Sequence, residues 1–118
     1  MRAKDGVGQY GERVAARHLE QNGLQVIECN WRCGQGEIDI VAREGELLVF
    51  VEVKTRSSER YGVPAEAVNW AKRNRIRGLA TMWLAQHPHP YGKLRFDVVS
   101  VLRRTAGRAD IAHYRDAF

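Results

Sequence analysis

A chain of 118 residues, 44% hydrophobic and 28% charged, has the size and balance of one folded domain rather than two, and of a folded chain rather than a disordered one. Its 19 Lys and Arg against 14 Asp and Glu leave a formal charge of +5, which favours polyanionic partners. No apolar run is long enough to cross a bilayer, the first residues lack the apolar core of a secretory signal, and two cysteines make no disulfide scaffold. The expectation is a cytoplasmic protein with no membrane partner.

The first predicted element is a helix from about Gly8 to Gln21, with Tyr10, Val14, Ala15 and Leu19 on its apolar side and Asn22-Gly23 as its stop. Residues 24–31 read as a strand, with Val26 and Ile27 as its core candidates. Cys33-Gly34-Gln35-Gly36 is a turn. Residues 37–43 and 47–55 are β-rich runs joined by Glu44-Gly45-Glu46, a hairpin pattern. A second helix is expected from Pro64 or Ala65 to about Gln86, its inward stripe passing through Val68, Ile76, Leu79, Ala80 and Trp83. Residues 94–102 form a further strand and 109–114 a short final one. This order predicts a single α/β domain over residues 1–118, with a central mixed β-sheet flanked by helices.

Two charges interrupt the most apolar of these runs. In Leu47-Leu48-Val49-Phe50-Val51-Glu52-Val53-Lys54, strand alternation sets Phe50, Glu52 and Lys54 on one face, opposite Val49, Val51 and Val53. In the preceding strand it sets Glu37, Asp39 and Val41 on one face and Ile38 and Ile40 on the other. The hairpin then brings Asp39 beside Glu52. Burying carboxylates requires a counter-charge or a metal ion. Asp39 and Glu52 offer the hard oxygen ligands that suit magnesium or manganese, which would polarise a phosphodiester and acidify a water. Lys54 adds a positive charge able to orient the attacking water or stabilise charge on phosphate oxygens. Glu12 is a third acid that would reach this shell from the first helix, although a helical Glu taken alone belongs at the surface. The plainer alternative makes these acids rim charges and Glu52–Lys54 a surface ion pair.

Lys72 shares a helical face with Val68 and Ile76 and would extend from the packed side toward the same edge. Its neighbours Arg73, Arg75 and Arg77 would contact phosphates without selecting sequence. Arg95 and Asp97 share a strand face and read as a structural pair. His18, His87, His89 and His113 are scattered and read as surface histidines; Trp83 belongs to the helix stripe, while Trp31 and Trp70 are expected to be partly exposed.

Taken together, Gly11-Glu12, Gly36-Glu37-Ile38-Asp39-Ile40-Val41, Phe50-Val51-Glu52-Val53-Lys54-Thr55-Arg56, Ala67-Val68 with Lys72, Arg95-Phe96-Asp97-Val98-Val99 and Asp116-Ala117-Phe118 cover nearly the whole chain. This combined pattern resembles the YraN-like family of small bacterial proteins, itself similar to Holliday-junction resolvases and other restriction-endonuclease-like nucleases of the PD-(D/E)xK type. The resemblance implies a restriction-endonuclease-like core in which Glu12, Asp39 and Glu52 form the acidic, metal-binding centre and Lys54 assists water attack. Lys72 matches a basic position on the second helix. Ile38 stands where the usual motif has Pro, a departure that resolvase-like branches share. The implied activity is a magnesium- or manganese-dependent, structure-selective endodeoxyribonuclease, with DNA as the expected partner, RNA as the alternative, and a homodimer suited to cutting two related strands. The competing expectations are a noncatalytic nucleic-acid-binding protein on the same scaffold, or an accessory protein in a DNA-processing complex.

Overall fold

The computed structural model describes residues 6–56, 70–88, 92–104 and 107–118. Its elements run α1 (Gly6–Gln21), β1 (Gln25–Cys33), β2 (Gly36–Glu44), β3 (Leu47–Arg56), α2 (Trp70–Gln86), β4 (Lys93–Arg103) and β5 (Ala109–Tyr114). The expected start of the second helix at Pro64 or Ala65, and Val68 of its stripe, lie outside the described residues.

The stop of α1 follows from its sequence. Gly23 adopts φ 92°, a left-handed conformation that glycine accepts without steric cost. The amides of Gly23 and Leu24 then turn back to the carbonyls of Glu20 and Leu19, at 3.2 and 3.0 Å, closing the helix in a Schellman motif. Asn22 Nδ2 donates to the His18 carbonyl at 2.7 Å and satisfies another end group.

The five strands lie in the order β1-β2-β3-β4-β5. All neighbours are antiparallel except β3 and β4, which run parallel from Leu47↔Lys93 to Arg56↔Leu102. A parallel pair needs a crossover, and α2 lies in that connection. The sheet is therefore mixed and flanked by helices, as its element order predicts.

Each helix closes one face. Against α2 pack Trp31, Ile38, Val41, Phe50 and Phe96, with Ile76, Leu79, Ala80 and Trp83 supplied by the helix stripe. The Phe50 ring meets Trp83 edge-on at 5.8 Å. Against α1 pack Ile40, Ala42, Val49, Val51, Val99 and Val101, with Ala15 and Leu19 from the helix. Burying side chains of this size contributes about 1.5–3 kcal/mol each. The C-terminal residues are tied to β4: the Ala117 amide donates to the Phe96 carbonyl at 2.8 Å, and the Phe118 ring lies 5.6 Å from that of Phe96. Among the described residues, no helix is long and apolar enough to cross a membrane.

Three local expectations are overturned. Ile27 is exposed rather than core, because the β1–β2 register shifts between Val26 and Glu28 and turns it out of the sheet. Trp31 is buried under α2 rather than partly exposed. Ile38 and Ile40 do not share a face: Ile38 joins Val41 and Trp31 on the α2 side, while Ile40 packs toward α1. The side chain of Trp70 is not among those described.

Candidate active site

The break in alternation falls at Asp39. The regular β2–β3 register runs from Glu44↔Leu47 to Ile40↔Val51. One residue further on, the Asp39 side chain reaches across to β3, where its Oδ2 accepts the Val53 amide at 2.8 Å. Asp39 is buried, and this bond ties its carboxylate to the residue between Glu52 and Lys54. The apolar residues of β3 follow the expected alternation: Phe50 packs toward α2, and Val49, Val51 and Val53 pack toward α1. Lys54 Nζ lies 3.5 Å from Glu52 Oε1, both groups being largely withdrawn from solvent.

Glu12 is buried on α1, against the surface position that helix composition alone gives it. One close approach explains its depth. Gly11 lies so close to β3 that a Cβ there would overlap the Thr55 hydroxyl, which brings this turn of the helix down onto the strand. Desolvation pushes the Cys29 thiol of β1 up, and the charges of Glu12, Glu20 and Glu28 push it further. Cys29 pairs with Ile40, the residue after Asp39.

The donor set fits a hard divalent ion. Magnesium keeps several waters and is commonly held by one or two carboxylates together with substrate phosphate, a requirement that Asp39 and Glu52 meet in type and number. Among the described residues, no three His, Cys, Asp or Glu side chains gather into a group that would hold an ion by themselves.

The basic positions divide. Lys72 belongs to the first turn of α2. Arg73 and Arg75 are exposed on that helix. The Arg77 guanidinium lies 4.6 Å over the Phe96 ring, so its stem and charge cover the aromatic cluster as well as facing solvent. Gly36 has φ 146°, a backbone conformation that L side chains rarely adopt, so a glycine suits the start of β2.

A second polar cluster serves the fold. Asp97 is fully buried; Arg95 Nε and Nη2 donate to its two oxygens at 2.8 and 2.9 Å. His113 Nε2 lies 2.7 Å from Oδ2, and the Asp116 amide donates to Oδ1 at 2.9 Å. Arg95 continues to Glu44 at 3.2 Å. The expected structural pair is thus part of a larger network, and His113 is buried within it rather than at the surface. Burial opposes ionisation of Asp97, but the hydrogen bonds from His113, Arg95 and the Asp116 amide outweigh it and hold the carboxyl below its ordinary value. His87 stacks on Trp83 at 4.0 Å and sits 3.5 Å from Glu28, while His89 lies outside the described residues.

Comparison with known proteins adds a family. A model of the uncharacterised protein family UPF0102 matches residues 11–101. A UPF0102 protein of Beutenbergia cavernae is 59% identical over 115 residues, covering 98% of each chain. One from Frankia casuarinae is 54% identical over the full length of both chains, and one from Nocardia farcinica is 47% identical over 98% of this chain and 91% of its own.

Proposed function

The chain belongs to the uncharacterised protein family UPF0102, the YraN-like proteins that its motifs resemble, and from its carboxylate–lysine cluster we propose a divalent-metal-dependent, structure-selective endodeoxyribonuclease. One observation carries this reading. The buried Asp39 carboxylate accepts the amide of Val53, the residue between Glu52 and Lys54, whose side chains lie 3.5 Å apart, which supports reading the two acids and the lysine as one site.

Asp39 and Glu52 would hold magnesium or manganese, with Glu12 approaching from α1 directly or through a water. When bound, the ion would supply Lewis acidity toward the scissile phosphate and lower the pKa of a water. The Val53 amide fixes Asp39 before any substrate arrives, which reduces the reorganisation needed on binding. Lys54, beside Glu52, is available to orient the attacking water and to stabilise negative charge on the phosphate oxygens. Water attack requires no protein nucleophile. Lys72, Arg73, Arg75 and Arg77 would bind backbone phosphates, and a branched substrate with two-fold symmetry would favour two copies of the chain.

The test is end-labelled cleavage of matched single-stranded, duplex, flap and four-way DNA, and of RNA, in magnesium, manganese or chelator. Wild type is compared with Asp39→Asn and Lys54→Ala after both variants are shown to fold. Metal-dependent products lost in both variants support the nuclease. Tight binding without variant-sensitive cleavage favours the noncatalytic nucleic-acid-binding reading, to which the exposed Arg73 and Arg75 would contribute phosphate contacts.

A further inference from the structure

Asn30 is a non-glycine residue inside a strand with φ 56°. That left-handed conformation is costly for most side chains, and Asn is among the few that tolerate it. Its position gives the strain a meaning. Cys29 pairs with Ile40 and Trp31 with Ile38, so Asn30 stands opposite Asp39 in the β1–β2 register.

On the two sides of this level the faces do not match. Residues two apart in a regular strand share a face. Ile40 packs toward α1, yet Ile38 packs toward α2. In β1, Glu28 accepts from Trp83 of α2 at 2.9 Å, so regular alternation would send Trp31 toward α1; Trp31 instead packs under α2. Both strands therefore reset their alternation at the same pair of residues. Glycine is absent from this level, and the positive φ of Asn30 supplies the backbone turn on the β1 side. On the β2 side the reset leaves the Asp39 side chain directed along the sheet toward β3, where it accepts the Val53 amide.

We infer that Asn30 is a positioning residue for Asp39: its left-handed backbone lets β1 follow the reset in β2, which holds the Asp39 carboxylate against β3 beside Glu52. The inference rests on the reading of Asp39 as an ion ligand, but its geometric part can be tested without metal or substrate. A β-branched residue resists the left-handed region and glycine accepts it. Asn30→Val then draws β1 back toward regular alternation, while Asn30→Gly preserves the reset.

The experiment measures amide hydrogen exchange at Val53, with Val49 in the regular ladder as the internal reference, and manganese affinity by electron paramagnetic resonance titration. In Asn30→Val, Val53 exchange should rise at least about tenfold relative to Val49, as local opening would produce. Manganese affinity should fall about 10–100-fold, the range for losing a residue that orients a metal ligand. Asn30→Gly should stay within about threefold of wild type on both readouts, because glycine keeps the conformation. Asn30→Ala should fall between Gly and Val, and supplies the comparison with Gly if the valine variant does not fold. Val53 exchange that matches wild type in the Val variant overturns the inference, as does equal behaviour of Ala and Gly. An equal rise at Val49 and Val53 also overturns it, because Asn30 would then act only on overall stability. If Val53 follows the expected order but wild type binds no manganese, the positioning of Asp39 stands and the nuclease reading falls.

Discussion

Asp39 Oδ2 accepts the Val53 amide at 2.8 Å, so a side chain takes over where the β2–β3 backbone ladder ends. The acid thereby has a structural duty as well as its proposed chemical one, and isosteric and truncating substitutions should separate the two. Asp39→Asn keeps an oxygen acceptor for Val53 and should retain most of the stability. Asp39→Ala leaves that amide without this acceptor and should cost about 1–3 kcal/mol. Urea denaturation of the two variants checks this difference, while both should lose metal-dependent cleavage.

In the proposed reaction Lys54 would act on charge that develops at the phosphate. Lys54→Ala should lower single-turnover cleavage about 100–1,000-fold, the range for removing one preorganised electrostatic group. Its effect on DNA affinity should be much smaller. Measuring the single-turnover rate and the dissociation constant on the same substrate makes the comparison.

Arg73 and Arg75 test the proposed phosphate-binding role of α2. Replacing both by Gln should weaken binding to all sequences alike. It should also flatten the slope of log K against log salt by about 1.8, if each arginine neutralises one phosphate of duplex DNA. Titrations from low to moderate salt provide the slope, and an unchanged slope removes these residues from the interface.

Acid should destabilise the fold in two stages. The His18 pKa is lowered by desolvation and by the charges of His113 and Arg115, so its stabilising contribution is present above the ordinary His value of about 6.5 and declines below it. Asp97 is also lowered in the folded state. Its contribution is present above the ordinary Asp value of about 3.9 and is lost as pH falls toward the folded pKa. Asp97→Asn should remove much of the lower stage and cost about 1.5–3 kcal/mol at neutral pH, because Arg95 would lose its charge-assisted bonds to Asp97 and keep only Glu44 as a carboxylate partner. Urea midpoints across pH 3–8 for wild type and variant check both the sign and the stages.

Gly11→Ala tests the seating of α1. The added methyl would overlap the Thr55 hydroxyl, and overpacking of this kind costs about 1–3 kcal/mol. The shift should be read from urea denaturation together with cleavage, since the same helix turn carries Glu12.

Local pattern made much of this fold legible. Asn22-Gly23 marks the end of α1, and Ile76, Leu79, Ala80 and Trp83 keep their helical spacing in the core. The short polar connection at residues 44–46 sets the β2–β3 hairpin. Tertiary facts were less accessible. Helical propensity carries no signal that Gly11 lets Glu12 sink onto the sheet. The bond between Asp97 and His113 depends on a strand register that neither residue announces. Strand alternation, the rule that pointed to Asp39 and Glu52, fails at Asp39 itself; the tolerance of Asn30 for a left-handed backbone is the only trace of that failure in the sequence.

The Asn30 turn also bears on association. Among the described residues β1 is the outermost strand on its side of the sheet, and an outer strand leaves a row of amides and carbonyls able to recruit another chain. Here that row is broken at the Ile27 register shift and again at Asn30, leaving only short straight segments between. These breaks disfavour the addition of a neighbouring strand across β1 in one continuous register. The distortion that sets the Asp39 carboxylate therefore also blunts this margin against runaway sheet growth and aggregation.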